Sequence, residues 1–385
     1  MKRLSCLLLV LLCCLPAGAE DWTYDSGITL VDGLKAVGGA VVLSGMRGEL
    51  LGENVARLEV WGAGEDALAV FEGVARPGGA AQDALYLGGD SFAVLSGAAG
   101  DHEALALEYV FAGETAWRSA AIPWASRIYA AGGCLLVNSF PMLDGARLLA
   151  FGREGTLLWT RDFDETVHFT DIFAAGDGFV ACGWAQVGDK AYPRAIGLDA
   201  GGAEVWRYAA TGPGETVAAG MDGADVLLLI DVDGGDGTTR LLRLRAGEAV
   251  AQTDYPAAQY GGAATQGALS LLPCAGGALI AVDLGRGDCL LRRVDADGEV
   301  LGEWREPFAG TLSPLHGVRE AALFMRGGNA YIAVCGKPPD AEALAATDWF
   351  DTGATTPVDL PSVLVIRRLD VPRGNGVASM LQYNR

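Results

Sequence analysis

The sequence predicts an all-β chain folded as a single seven-bladed β-propeller of four-stranded antiparallel blades. Three observations carry this. Residues 170–211 hold four short apolar runs, 172–175, 179–184, 194–198 and 205–209, the outer pairs separated by Gly176-Asp177-Gly178 and Ala200-Gly201-Gly202. Glycine tolerates the positive φ of tight hairpin turns, so this is a four-stranded meander, with residues 185–193 as its longer polar link. An aromatic then recurs on the last strand of each unit, at Trp22, Phe71, Trp117, Trp159, Trp206 and Trp304, at intervals of 49, 46, 42, 47 and 98. The last interval is two periods, with the missing copy near Gln252. Finally, a glycine turn between first and second strands recurs at Gly38, Gly88, Gly132, Gly176, Gly223, Gly276 and Gly327, in step with the aromatics. Seven turns mean seven units, and a period in the forties with four strands per unit means a propeller.

The elements follow in order. Lys2 and Arg3, the apolar run 4–15 and the small residues Ala17-Gly18-Ala19 form a secretory signal at 1–19, cleaved after Ala19. Lipidation at Cys13 or Cys14 is the rival, disfavoured by the large Leu12 and the adjacent cysteine pair. The propeller then occupies 20–385, with blades near 33–75, 83–122, 126–163, 170–211, 216–257, 267–308 and 318–370. Trp22 sits where a fourth strand belongs but has no earlier strands to join. Residues 21–24 are therefore expected to close the ring by completing the last blade, which removes exposed sheet edges. The tail, 375–384, competes for the same slot.

Second strands such as FVACGW and DVLLLID are apolar on both faces, as expected when neighbouring blades cover each side. The Trp of each fourth strand is expected to be buried between blades, for about 2–3 kcal/mol each. Of eight cysteines, five lie beyond the signal: Cys134, Cys182, Cys274, Cys289 and Cys335. That odd number fits buried free thiols better than a disulfide framework. The charge is −20, or −22 once Lys2 and Arg3 leave (26 basic against 48 acidic residues). An acidic surface repels phosphates and anionic lipids, which argues against nucleic acid as a partner. No later run is long and apolar enough for a membrane helix.

The segment GDGFVACGW…AIGLDAGGAEVWRYAATG resembles the repeats of bacterial secreted β-propeller proteins of the WD40-like and PQQ-like superfamily. Their units read DGG-(Y/F)-(I/V)-(I/V)-AG and then KLDxDGxxxW. Residues 176–184 and 196–206 match best, and VDADGEVLGEW at 294–304 follows with one extra residue. The resemblance implies a propeller fold and an extracytoplasmic address. The functions of such proteins are mostly unassigned, so it supplies no catalytic residue.

In a propeller, the second-to-third loops and the links between blades share one face, here called the top. His102, His168 and His316 all map there, but to separate blades, which argues against a shared metal. Asn138, with Ser139 and Met142, lies on the same face. Asp231, Asp233 and Asp236 resemble a calcium loop, but Gly235 and Asp236 stand where such a loop wants an acid and then glycine, so a solvated turn is the better reading. The insertion 336–361 in the last blade holds Trp349 and Phe350 between acids, which suits either a binding anchor or a cap over the channel.

No nucleophile elbow, HExxH, phosphate loop or paired CxxC occurs, and no cofactor is expected. The function expected is therefore a secreted, monomeric, non-catalytic binding or scaffold module, engaging a protein or glycan through its top face at Trp349, Phe350, His168, His316 or Asn138. The alternative is an extracytoplasmic polysaccharide hydrolase or lyase with its site in the central funnel. A binder predicts scattered polar residues around the channel. An enzyme predicts a concave pocket with convergent, perturbed titratable groups.

Overall fold

The computed structural model describes residues 21–371 except 38, 49–52, 65–66, 73–75, 78, 99–102, 141–144, 234–236, 258, 261–262, 265, 275, 286, 309–310, 313–317, 319 and 339–361. The described chain contains strands and no helix, arranged as seven four-stranded antiparallel blades in a ring. The innermost strands are Leu30–Val37, Gly79–Gly88, Ala125–Ala131, Val167–Ala175, Gly214–Asp222, Gly267–Cys274 and Glu320–Arg326. In blades 1 to 6 each leads outward through three more strands.

The seventh blade is a composite. Its own chain supplies Asn329–Gly336 and Val363–Arg368, and Asp21–Asp25 pairs with the latter in register Asp21↔Arg367 to Asp25↔Val363. The amino-terminal strand therefore closes the ring, as its orphaned Trp predicts. Residues 375–384 lie outside the described residues. The closure is reinforced by Arg367, whose guanidinium donates to both carboxylate oxygens of Asp21 at 2.8 Å and reaches Glu306 of blade 6 at 3.0 Å.

Burial follows the alternation of apolar second strands. Each blade contributes one face to either neighbour, so the core is a series of interfaces between blades. Leu136, Phe169 and Ile196 meet between blades 3 and 4, while Leu228, Cys182 and Leu244 meet between blades 4 and 5. Cys182, Cys289 and Cys335 are buried in these seams, and none of the five cysteines beyond residue 20 is in a disulfide.

Two expectations need correction. The outer-strand tryptophans are half-buried, not enclosed. Trp117, Trp159 and Trp206 each lie across the seam on the third-to-fourth turn of the next blade, over Gly155, Gly202 and Gly247. Those glycines have φ of 86°, 81° and 87°, and a Cβ there would collide with the indole. The indole N–H of Trp117 donates to Arg153 O at 2.7 Å, and that of Trp159 to Ala200 O at 3.0 Å. In blade 5, where the aromatic ruler fails, Thr253 and Tyr255 do the same work, donating to Asp297 O and Gly298 O. Residues 185–193 are not a long link either. The second strand runs Gly178–Val187 and the third Lys190–Leu198, joined at Gly188-Asp189. Pro193 sits inside the third strand because only its missing donor is lost; its carbonyl still accepts from Ala210 N.

Candidate functional site

The seven innermost strands enclose a channel of about 1020 Å³. What projects into it is set by a local irregularity in the ladder. In six blades the innermost strand shifts register near its upper end, and the residue after the shift is Gly33, Asp83, Arg127, Asp171, Ala218 or Ser270. Such bulges re-aim a side chain. In blades 2, 4 and 6 it turns sideways and accepts a hydrogen bond from the next blade's innermost strand. Asp83 Oδ2 takes Ile128 N at 2.7 Å, Asp171 Oδ2 takes Ala219 N at 2.9 Å and Ser270 Oγ takes Leu323 N at 3.0 Å. Asp83 is also bound by Lys35 of blade 1 at 2.6 Å, so it joins three blades.

Blades 1, 3 and 5 make no such tie; Gly33 and Ala218 carry no polar side chain to make one, whereas blade 3 places a charge there. Arg127 holds this position, is exposed to the channel, and makes no ion pair among the described residues. Burial within the ring opposes its charge, but Tyr129, Asp83, Asp171 and Glu320 outweigh that and hold its pKa above the ordinary value. In return Arg127 partly offsets the burial that raises Asp171 and Glu320 above the usual carboxylate range, with Lys35 helping at both. Tyr129 supplies the tie between blades 3 and 4 instead, its hydroxyl donating to Phe169 O.

Above Arg127, at the top mouth, three rings form a column. His168 of blade 4 stacks on Trp184 at 4.1 Å between centroids and 17° between planes, and Phe140 of blade 3 packs on it at 4.5 Å. Trp184 lies directly opposite His168 across the ladder. With both faces covered, His168 offers the channel its edge, and neither ring nitrogen has a hydrogen-bond partner among the described residues. Burial, and then the charge on Arg127, lower its pKa, so the imidazole is neutral at pH 7. Asn138, two residues before Phe140, is 1% exposed, and its Oδ1 has no partner among the described residues. Thr216 of blade 5, also 1% exposed and lining the channel, leaves its Oγ1 without a partner among the described residues. Buried polar atoms without partners are rare and call for an explanation, and of the four such atoms among the described residues these two line the channel. Trp124, beneath the same rim, has φ of 56°, a costly conformation for an aromatic residue, and its carbonyl accepts from Phe140 N at 3.0 Å.

Of the residues singled out from sequence, His168 and Asn138 thus meet at one mouth. Ser139 does not join them; its hydroxyl donates to Pro123 O at 2.7 Å. Trp349, Phe350, His316, His102, Met142 and Asp236 lie outside the described residues. Asp231 and Asp233 diverge: Asp231 Oδ1 accepts Ala268 N of blade 6 at 2.7 Å, and Asp233 pairs with Lys190 of blade 4 at 3.2 Å. No cluster of three metal-ligating side chains occurs among the described residues. Sequence reading missed Arg127, Phe140, Trp184 and Thr216. The channel also holds convergent perturbed groups, Asp171, Glu320 and His168, the feature expected of an enzyme.

No protein-family description and no curated protein matches this chain. Solved structures do. The β-propeller domain of the Trilobed protease from Pyrococcus furiosus aligns at 10% identity and TM-score 0.50, over 79% of this chain and 91% of that one. Hsv2 from Kluyvelomyces marxianus aligns at 10% identity and TM-score 0.50, over 81% and 93%. At such identities the likeness is one of fold alone, that of a β-propeller. The Pyrococcus domain has an open velcro topology. This chain instead pairs its amino-terminal strand with the last blade. No helix of the described residues is long and apolar enough to cross a membrane.

Proposed function

We propose that this protein is a secreted, non-catalytic binding module of the bacterial secreted propeller type, which engages a protein or glycan at the top mouth of its channel between blades 3 and 4. The observation that carries this reading is the buried, unpartnered Oδ1 of Asn138 beside the Phe140–His168–Trp184 column. A rigid ring supports that mouth, and a rigid support is what lets a few side chains hold a ligand without paying to order themselves. The address rests on the signal-like residues 1–19, and the exported protein should begin at Glu20 by mass spectrometry.

A second reading, a polysaccharide hydrolase or lyase, is favoured by the raised carboxyls Asp171 and Glu320 facing one channel. It ranks lower because Asp171 Oδ2 performs the same seam-tying task as Asp83 and Ser270, and burial at the seam accounts for its pKa. The test is to screen the full chain on glycan and peptide arrays, then to assay every hit for turnover. Binding without turnover, weakened by Trp184→Ala, supports the module. Catalytic consumption of the ligand would establish the enzyme, and a Trp184→Ala variant that binds like wild type would remove the mouth from consideration.

A further inference from the structure

Resting on the reading of the mouth as a binding site, we infer that its ligand is a neutral saccharide held between blades 3, 4 and 5 by Arg127, Asn138, His168 and Thr216. The open hydrogen-bonding positions there are mixed in kind. Arg127 can only donate. The Oδ1 of Asn138 can only accept, and the Thr216 hydroxyl and the neutral His168 edge can do either. A ligand that satisfies all of them must carry donors and acceptors side by side on one rigid body, which is what the ring hydroxyls of a sugar provide.

Charged ligands fit less well. Lys35 and Arg127 bring two positive charges to the channel lining, while Asp171, Glu215 and Glu320 bring three carboxyls, within a chain of net charge −20. A phosphate or polyuronate would satisfy Arg127 but meet those carboxyls. A cation would satisfy the acceptors and be repelled by Arg127. A neutral polyol escapes both conflicts. The apolar ends of the ring column supply faces for the C–H surface of a sugar, and a 1020 Å³ channel lies at the upper end of the roughly 300–1,000 Å³ usual for ligand pockets.

The full-length protein would be titrated by calorimetry and Trp fluorescence with four probes: neutral hexose oligomers of α and β linkage, oligouronates, lysine-rich peptides and acidic peptides. Two shape-conserving variants, Asn138→Leu and Thr216→Val, and Arg127→Ala would be titrated in parallel, with thermal melts to confirm folding. The expected result is binding of a neutral oligomer alone, weakened at least tenfold in Asn138→Leu and in Arg127→Ala without loss of melting temperature. Binding of an oligouronate or a peptide that Asn138→Leu abolishes would overturn the neutral saccharide and leave the mouth as a binding site. A neutral oligomer bound equally by wild type and by all three variants would place the site elsewhere. Failure of all four probes would overturn both the ligand class and the mouth.

Discussion

Blades 2 and 3 are built on the same plan, yet the residue after the bulge does opposite things in each. Asp83 is 4% exposed, and its two oxygens are bound by Lys35, Ile128 N and its neighbour Ala84 N, so three blades share one carboxylate. Arg127 stands at the equivalent place one blade on, faces the channel and has no ion pair among the described residues. Asn138, its partner across the ladder, and Thr216, on the same channel, leave a polar atom unpartnered among the described residues. At Asp83, where a polar side chain ties a seam, both oxygens are partnered; Asn138 Oδ1 and Thr216 Oγ1 are not partnered among the described residues, and they differ from the other two such atoms, Arg161 Nε and Asp288 Oδ1, in lining the channel.

The sharpest way to break that contrast is to truncate both residues. Asp83→Ala strands Lys35 and the Ile128 N–H in a buried seam, and we expect it to cost about 3 kcal/mol, at the low end for a broken buried pair because Lys35 can turn into the channel. Arg127→Ala removes no partnered group and should change stability by less than about 0.5 kcal/mol. Denaturant titration of the two variants measures this. Equal losses would mean that Arg127 is as structural as Asp83.

A smaller effect of opposite sign is expected on the other side of the comparison. Asn138→Leu and Thr216→Val keep the side-chain shape while deleting an orphaned polar atom. Each should stabilise the protein by about 1 kcal/mol, because the desolvation of that atom is no longer uncompensated. A stabilised protein that no longer binds its ligand would be the signature of a site held open at the expense of stability. Destabilisation in both variants would show that the two atoms are partnered in solution.

The repeat was legible in sequence because it is written in residues with one physical use. Glycines at Gly132, Gly176 and Gly223 adopt the positive φ that their turns need, and the Trp ruler marks seams that the structure confirms. The closing strand was legible because Trp22 had no blade of its own. The mouth was only half legible. His168 and Asn138 stood out as polar residues on the right face, but their neighbours depend on register. His168 meets Trp184 only through the pairing of two strands, and Arg127 points into the channel only because the ladder slips between Ala125 and Arg127. The slip lies at the very start of its strand, so it shifts the alternation over too few residues to be read from periodicity. Pro193 hid the length of its strand for a related reason: a missing donor looks like a strand end in sequence, yet the ladder accommodates it.

Asp231 tests the seam side of the contrast by pH. Burial, with a contribution from Glu215, pushes its pKa up to about 6 despite the hydrogen bond from Ala268 N. Because the folded value lies above the ordinary one, the native state holds the proton more tightly, and this residue's contribution falls as pH rises from about 4 to about 6. Asp231→Asn keeps an acceptor for Ala268 N and removes the charge. The variant should match wild type near pH 4 and exceed it by about 1 kcal/mol at pH 7.5, after allowance for solvent at a half-buried site. A difference independent of pH would mean that the carboxylate is not strained by the seam.

The smallest effect reads the mouth itself. Burial lowers the pKa of His168 first and the positive charge of Arg127 lowers it further, so folding disfavours the imidazolium. A His depressed in this way contributes stability above its ordinary pKa of about 6.5 and loses it as pH falls toward the folded value. In Arg127→Ala one of the two causes is gone. The titration midpoint, followed by the imidazole C–H resonance of this residue, should rise toward the ordinary value without reaching it, because the Phe140–Trp184 sandwich persists. That partial recovery would place the guanidinium within electrostatic reach of the ring column, where both must stand to meet one ligand. An unchanged midpoint would place Arg127 outside the mouth, and the difference between blades 2 and 3 would then have no bearing on binding.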